Sequence, residues 1–246
     1  MIGIMSAMQE EIQALLDHLQ QVQTSQKGNR TYYKGLLFNT EVVLVFSRWG
    51  KIAAAVTATQ LINDFEVDEL IFTGVAGAIQ PHLNIGDIII AKNLIQHDVD
   101  ATPFFKKYTV PIIDKMYFET DLTQRAKLLK AAQHFLENYS KIISNEEAAL
   151  YTIKEPKVLI ADIASGDEFI NTTAKVSIIN KELPTVNAVE MEGAAVAQVC
   201  YEYDIPFSVI RIISDKAHDN AHIEFQKFAN AIATKYALGI FNAYLN

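Results

Sequence analysis

Short apolar runs rich in Ile and Val alternate along the chain with segments whose apolar positions return every three to four residues. The first pattern is that of buried strands, the second that of helices packed on one face. Strands are predicted at residues 2–7, 31–37, 41–47, 69–73, 87–96, 157–164, 185–188 and 207–213. Helices are predicted at 9–21, 51–64, 121–139, 173–181, 191–203 and 223–246. Because the two kinds of element take turns, the expected fold is α/β: a three-layer sandwich whose mixed, largely parallel central sheet is flanked by helices. One pair breaks the alternation. Only Phe38, Asn39 and Thr40 separate residues 31–37 from 41–47, a spacing that suits a hairpin and makes the sheet mixed. Between His97 and Glu119 no period is visible, yet the stretch carries Pro103, Phe104, Phe105, Tyr108, Pro111, Met116, Tyr117 and Phe118. A long aromatic loop serves as a lid, a binding loop or a subunit contact, or it packs on its own domain with no further role.

Composition narrows the field of partners. With 246 residues, half of them hydrophobic, the chain suffices for one large core, so one domain over 1–246 is expected. The formal net charge of −8 disfavours a nucleic-acid backbone or an anionic membrane as partner. No apolar run approaches the roughly 20 residues of a membrane span, and the N-terminus lacks the basic start of a signal peptide, so a cytoplasmic location is expected. Cys200 is the single cysteine, which precludes an internal disulfide. His218 and His222 are the only histidines at a metal-like spacing; they lack the Glu of a zinc-protease helix and sit beside Asp219 and Asn220, which read as a turn. Neither a metal nor another cofactor is expected.

The candidate chemistry lies just past predicted strand ends, where open α/β sheets bind ligands. After residues 2–7 comes Met8-Gln9-Glu10-Glu11, whose acids suit either a crevice or simply the positive end of a helix. Thr73-Gly74-Val75-Ala76-Gly77-Ala78 offers backbone N–H groups at close approach but lacks the Lys-Ser/Thr ending of a phosphate loop. In Ser165-Gly166-Asp167-Glu168-Phe169-Ile170, Phe169 suits stacking on a planar base and the Ile170 backbone suits its hydrogen-bonding edge; a core-plugging Phe in a turn is the plainer reading. Val189-Glu190-Met191-Glu192 sets two carboxylates around a methionine, a pattern suited to gripping vicinal hydroxyls beside a pliable apolar surface. Arg211-Ile212-Ile213-Ser214-Asp215 closes the last strand with an acid fit for proton transfer or for capping a turn with Arg211 as its ion-pair partner.

Taken in order, these five segments resemble the purine-nucleoside phosphorylase and nucleosidase superfamily, and within it the 5′-methylthioadenosine/S-adenosylhomocysteine nucleosidases, over nearly the whole chain. The resemblance implies that Asp215 protonates N7 of adenine and that Glu11 is the general base toward water. It implies further that Glu192 holds the ribose hydroxyls, Met191 lies against the sugar, and Phe169 and the Ile170 backbone hold the base. Arg211 and Glu190 would support Glu11 and the water, and Ser214 the Asp215 loop. It also implies a homodimer in which the aromatic loop, with Phe104, Phe105 and Tyr108, closes the partner's pocket; His97-Asp98-Val99-Asp100 fits the family's strand-to-loop transition. The chain departs from the family at Ser47-Arg48-Trp49-Gly50-Lys51, where Trp49 reshapes the pocket, and at Val75, which removes a hydroxyl next to Ala76 and Gly77. Three other readings share the motifs: a phosphorylase, a hydrolase of another 5′-modified nucleoside of the aminofutalosine type, and a non-catalytic nucleoside-binding protein. Against a phosphorylase, carboxylates stand where a cationic phosphate turn would be.

Overall fold

The computed structural model describes residues 1–217 and 221–246, the side chains of 221–224 excepted. The His218 and His222 pair therefore lies outside the described side chains, as do Asp219 and Asn220. In chain order the strands are β1 (Ile2–Ser6), β2 (Gln20–Lys27), β3 (Arg30–Leu37), β4 (Thr40–Phe46), β5 (Glu69–Ala78), β6 (Ile88–Gln96), β7 (Phe118–Glu119), β8 (Val158–Ser165), β9 (Val186–Glu190) and β10 (Phe207–Asp215). The α-helices are α1 (Gln13–Asp17), α2 (Lys51–Phe65), α3 (Leu122–Glu137), α4 (Asn145–Leu150), α5 (Thr173–Glu182), α6 (Gly193–Glu202), α7 (Ala221–Phe228) and α8 (Thr234–Leu245).

Two-residue alternation along the strands sorts the core into the two sides of the sheet. Ile2, Ile4, Ile71, Ile88 and Ile210 pack with Leu128 and Phe135 of α3 and Tyr236, Ile240 and Phe241 of α8. Met5, Val43, Val45, Phe72 and Val209 pack with Ala54 and Ala58 of α2 and Ala194, Ala197 and Cys200 of α6. Helices thus cover both faces, as expected, but the sheet is evenly mixed rather than largely parallel. Pairings β1–β4, β1–β5, β5–β10, β6–β8 and β8–β9 are parallel; β2–β3, β3–β4, β5–β9, β6–β7 and β6–β10 are antiparallel. The reason is visible between β5 and β6, which no crossover helix separates, so that the chain returns in the opposite sense.

The hairpin expected near residue 39 is β3–β4, with Phe38 and Asn39 both at positive φ (48° and 65°), as a two-residue primed turn requires. The helix expected over 9–21 shrinks to one 3-10 turn (Gln9–Glu11) and the short α1, and the chain then forms β2. That strand, QQVQTSQK, is exposed along nearly all its length and pairs only with β3 at the sheet's edge.

One feature of the topology creates the crevice. Both β1 and β9 pair with the same edge of β5, β1 as far as Phe72 and β9 from Gly77, and their C-terminal ends point toward each other across the gap. Gly74 and Val75 form its floor, and β10 along the opposite edge of β5 brings Asp215 level with Gly77.

Candidate active site

Backbone N–H groups in that gap have no strand partner and must be satisfied otherwise. Val75 N donates to Glu11 Oε1 at 3.0 Å, while Ala7 N and Met8 N donate to Glu11 Oε2 at 3.1 and 3.0 Å. Glu11, 2 % exposed, is thus held across the floor by both β1 and β5. Burial pushes its carboxyl up to about 6, against the opposing pull of Arg211 and of the three N–H donors. Gly74 is required here: a Cβ would come 2.7 Å from Glu11 Oε1 and 2.9 Å from Arg211 Nη1.

Glu190, at the end of β9, is committed to the protein. It accepts from Arg211 Nη2 at 2.6 Å, from the Ser165 hydroxyl, and from the backbone N–H groups of Glu192 (3.1 Å) and Gly193 (2.8 Å). It closes the start of α6 and neutralises Arg211, whose guanidinium also lies over the Phe72 ring at 4.0 Å. Glu192, by contrast, accepts from Gly50 N at 2.7 Å and otherwise lines the pocket. Burial and the neighbouring Glu190 charge raise its carboxyl to about 8. At the far side Asp215 accepts from Ser214 Oγ and Ala217 N, both at 2.8 Å. Gly77 lets the chain pass close, since a Cβ there would meet Asp215 Oδ1 at 2.9 Å.

These groups open on a pocket of about 580 Å³ counted to its open mouth, a volume suited to a small organic ligand. Eleven of the residues singled out from sequence line it together: Glu11, Trp49, Val75, Ala76, Gly77, Phe169, Ile170, Glu190, Met191, Glu192 and Asp215. Arg211 and Ser214 stand behind the wall, each bonded to an acid that faces the pocket. Phe104 is fully outside (87 % exposed), whereas Tyr108 is buried within its own subunit and donates its hydroxyl to Glu182. Phe105 is half-buried, and neither phenylalanine lines this pocket.

Met8 and Phe225 also line the pocket and were not foreseen. Phe225, on α7, meets Phe169 edge-on at 5.8 Å and Trp49 at 6.0 Å, so three aromatic rings form the rim. In the sequence it is one more apolar position of a helix, with no local mark of a ligand. A second unforeseen feature is the clamp that holds the rim's loops. Lys51 Nζ donates to Asp98 Oδ1 (2.6 Å), and Asp98 and Asp167 accept from the N–H groups of Asp167 (2.8 Å) and Lys51 (2.7 Å) respectively. Asp98 thereby ties the loop after β6 to those carrying Trp49 and Phe169.

Fold and pocket are those of an α/β enzyme with paired carboxylic acids at its strand ends, and the chain belongs to the phosphorylase superfamily, whose family model matches residues 1–246. Within that superfamily it is similar to a curated 5′-methylthioadenosine/S-adenosylhomocysteine nucleosidase of Staphylococcus aureus, 35% identical over 233 residues, 95% of this chain and 94% of the relative. A solved nucleosidase of the same name from S. pneumoniae, with the transition-state inhibitor MT-ImmA, is 35% identical with a TM-score of 0.84, covering 99% of this chain and 97% of that one. A futalosine hydrolase of Helicobacter pylori is 30% identical with a TM-score of 0.82, covering 98% and 96%.

Proposed function

We propose that the chain, as one domain, hydrolyses the N-glycosidic bond of 5′-methylthioadenosine, S-adenosylhomocysteine or both, releasing adenine and the 5′-thioribose. Asp215 protonates N7 as the bond to C1′ lengthens. Glu11 takes a proton from the water that captures the developing oxocarbenium ion. Glu192 and Met191 hold the ribose, and Phe169 with the Ile170 backbone holds adenine. The observation that carries this reading is the placement of two buried acids, Glu11 and Asp215, on opposite sides of β5 within one pocket. The enzyme acts in the cytoplasm as a homodimer, and the exposed Phe104 supports the aromatic loop's place in that interface. Among the described residues no helix is long and apolar enough to cross a membrane.

Water rather than phosphate is the acceptor, because no described residue lining the pocket is cationic, while Glu11, Glu168, Glu190, Glu192 and Asp215 all line it. A phosphate dianion would meet carboxylates at close range. Adenine release from 5′-methylthioadenosine is therefore expected to run at full rate in phosphate-free buffer. A strict phosphate requirement with formation of a sugar 1-phosphate would overturn hydrolysis.

The raised carboxyl of Glu11 sets the pH dependence. A general base works as the anion, so activity is lost as Glu11 is protonated on the acid side of about 6. The profile of kcat/KM, which reports the free enzyme, is expected to bend near pH 6 and fall about tenfold for each further unit of acidification. A profile that stays flat to pH 5 removes Glu11 from this role.

A further inference from the structure

The first N–H groups of a helix have no partner within it. At the start of α2 two of them meet carboxylates, each at 2.7 Å: Lys51 N donates to Asp167 Oδ1 and Gly50 N to Glu192 Oε1. The second bond reaches the pocket, which Glu192 lines. Burial and Glu190 push the Glu192 carboxyl up, and the Gly50 N–H is the largest influence that opposes them. Gly50 presents that N–H from φ 93°, and a Cβ there would come 3.0 Å from Asp167 Oδ1, so the turn is set against Asp167. Asp167 is set by Asp98, which accepts Asp167 N on one oxygen and Lys51 Nζ on the other, and the bonds close into a ring. Lys51 Nζ also donates to Gln96 Oε1 at 3.1 Å, which anchors the ring on β6. The base side of the pocket has support of its own. Ile170 is buried in one cluster with Ile95 and Val189, and Glu168 pairs with Lys175 of α5 at 2.6 Å.

We propose that Asp98, which does not line the pocket, is a positioning residue for the sugar side of the site: through Asp167 and Lys51 it aims the Gly50 N–H at Glu192. The inference rests on the reading of Glu192 as the carboxylate that holds the ribose, and deepens it. A carboxylate accepts two vicinal hydroxyls in a restricted orientation. With Oε1 pinned by Gly50, that orientation exists before the sugar arrives; without the ring, Glu192 is ordered only on binding, at a cost in affinity. Glu11 and Asp215 do not depend on the ring, because their bonds run to Ala7, Met8, Val75, Ser214 and Ala217. Loss of Asp98 therefore weakens the hold on the nucleoside and spares the proton transfers.

The test measures kcat and KM for 5′-methylthioadenosine and the inhibition constant of free adenine, which has no sugar. The proteins are wild type, Asp98→Asn, Asp98→Ala and Glu192→Ala. Asp98→Asn keeps an acceptor for Asp167 N and loses the charge that holds Lys51; Asp98→Ala loses both. Because the Lys51 and Asp98 side chains are 17% and 30% exposed, KM rises about 5-fold for Ala and less for Asn. In both variants kcat stays within about 2-fold of wild type, the mark of lost binding rather than lost chemistry, and adenine inhibits as before. A wild-type KM in Asp98→Ala, a fall in kcat in its place, or adenine inhibition weakened in step with KM overturns the positioning role while hydrolysis stands. An unchanged KM in Glu192→Ala, or failure of wild type to release adenine, overturns the reading beneath it.

Discussion

Replacing Glu11 by Gln, or Asp215 by Asn, is expected to lower kcat for 5′-methylthioadenosine by about 10²–10⁴-fold each, the range of a lost general base or acid. Both changes keep side-chain volume, and both positions are held by several bonds that an amide oxygen still accepts in part. Glu11 receives three backbone N–H groups, and Asp215 a hydroxyl and one N–H. The loss therefore belongs to proton transfer rather than to collapse of the crevice. The check is adenine release at saturating substrate, with thermal unfolding run alongside to confirm the fold. Because the two groups act on opposite sides of one bond, the double variant should lose less than the product of the single losses. If both single variants kept full activity, the assignment of acid and base would be wrong whatever the reaction.

The contrast between Glu11 and Glu190 shows what the sequence could disclose. Each is an acid just past a strand end, and nothing local distinguishes them. Only the fold shows that Glu190 saturates its oxygens on Ser165, Arg211 and the start of α6, while Glu11 bridges the gap between two strands. The apolar runs made the strands legible because burial is written in the residue types. Where burial is absent the signal vanishes: β2 is almost entirely polar and exposed, so its first two residues passed for the end of a helix and the rest for no element at all. The short α4 does carry a capping box, Ser144 with Glu147, but too few apolar positions to register as a period. The evenly mixed sheet was also hidden, since alternation of elements does not specify strand sense when a connection such as that from β5 to β6 has no helix. Phe225 and the clamp of Lys51, Asp98 and Asp167 were invisible for another reason: each joins segments far apart in the chain.

Arg211 carries the second large effect, and it separates two roles. Its side chain is 1% exposed and that of Glu190 3%, so Arg211→Met leaves a buried carboxylate without its cation and should destabilise the protein by about 3–5 kcal/mol. Urea unfolding at fixed protein concentration measures this. Adding Glu190→Gln removes the stranded charge and should restore much of the loss, since the N–H donors of Glu192 and Gly193 still find an acceptor. Activity should not follow stability. Arg211 is the charge that opposes the rise of the Glu11 carboxyl, and burial rather than Glu190 is the main cause of that rise. Without Arg211 the acid bend in kcat/KM moves to higher pH, and the added Glu190→Gln leaves it displaced. A double variant that recovered both stability and the wild-type bend would show Arg211 to be a structural partner of Glu190 and nothing more. A bend that stays displaced in a restabilised protein makes Arg211 the positioning residue that keeps Glu11 ionised at neutral pH.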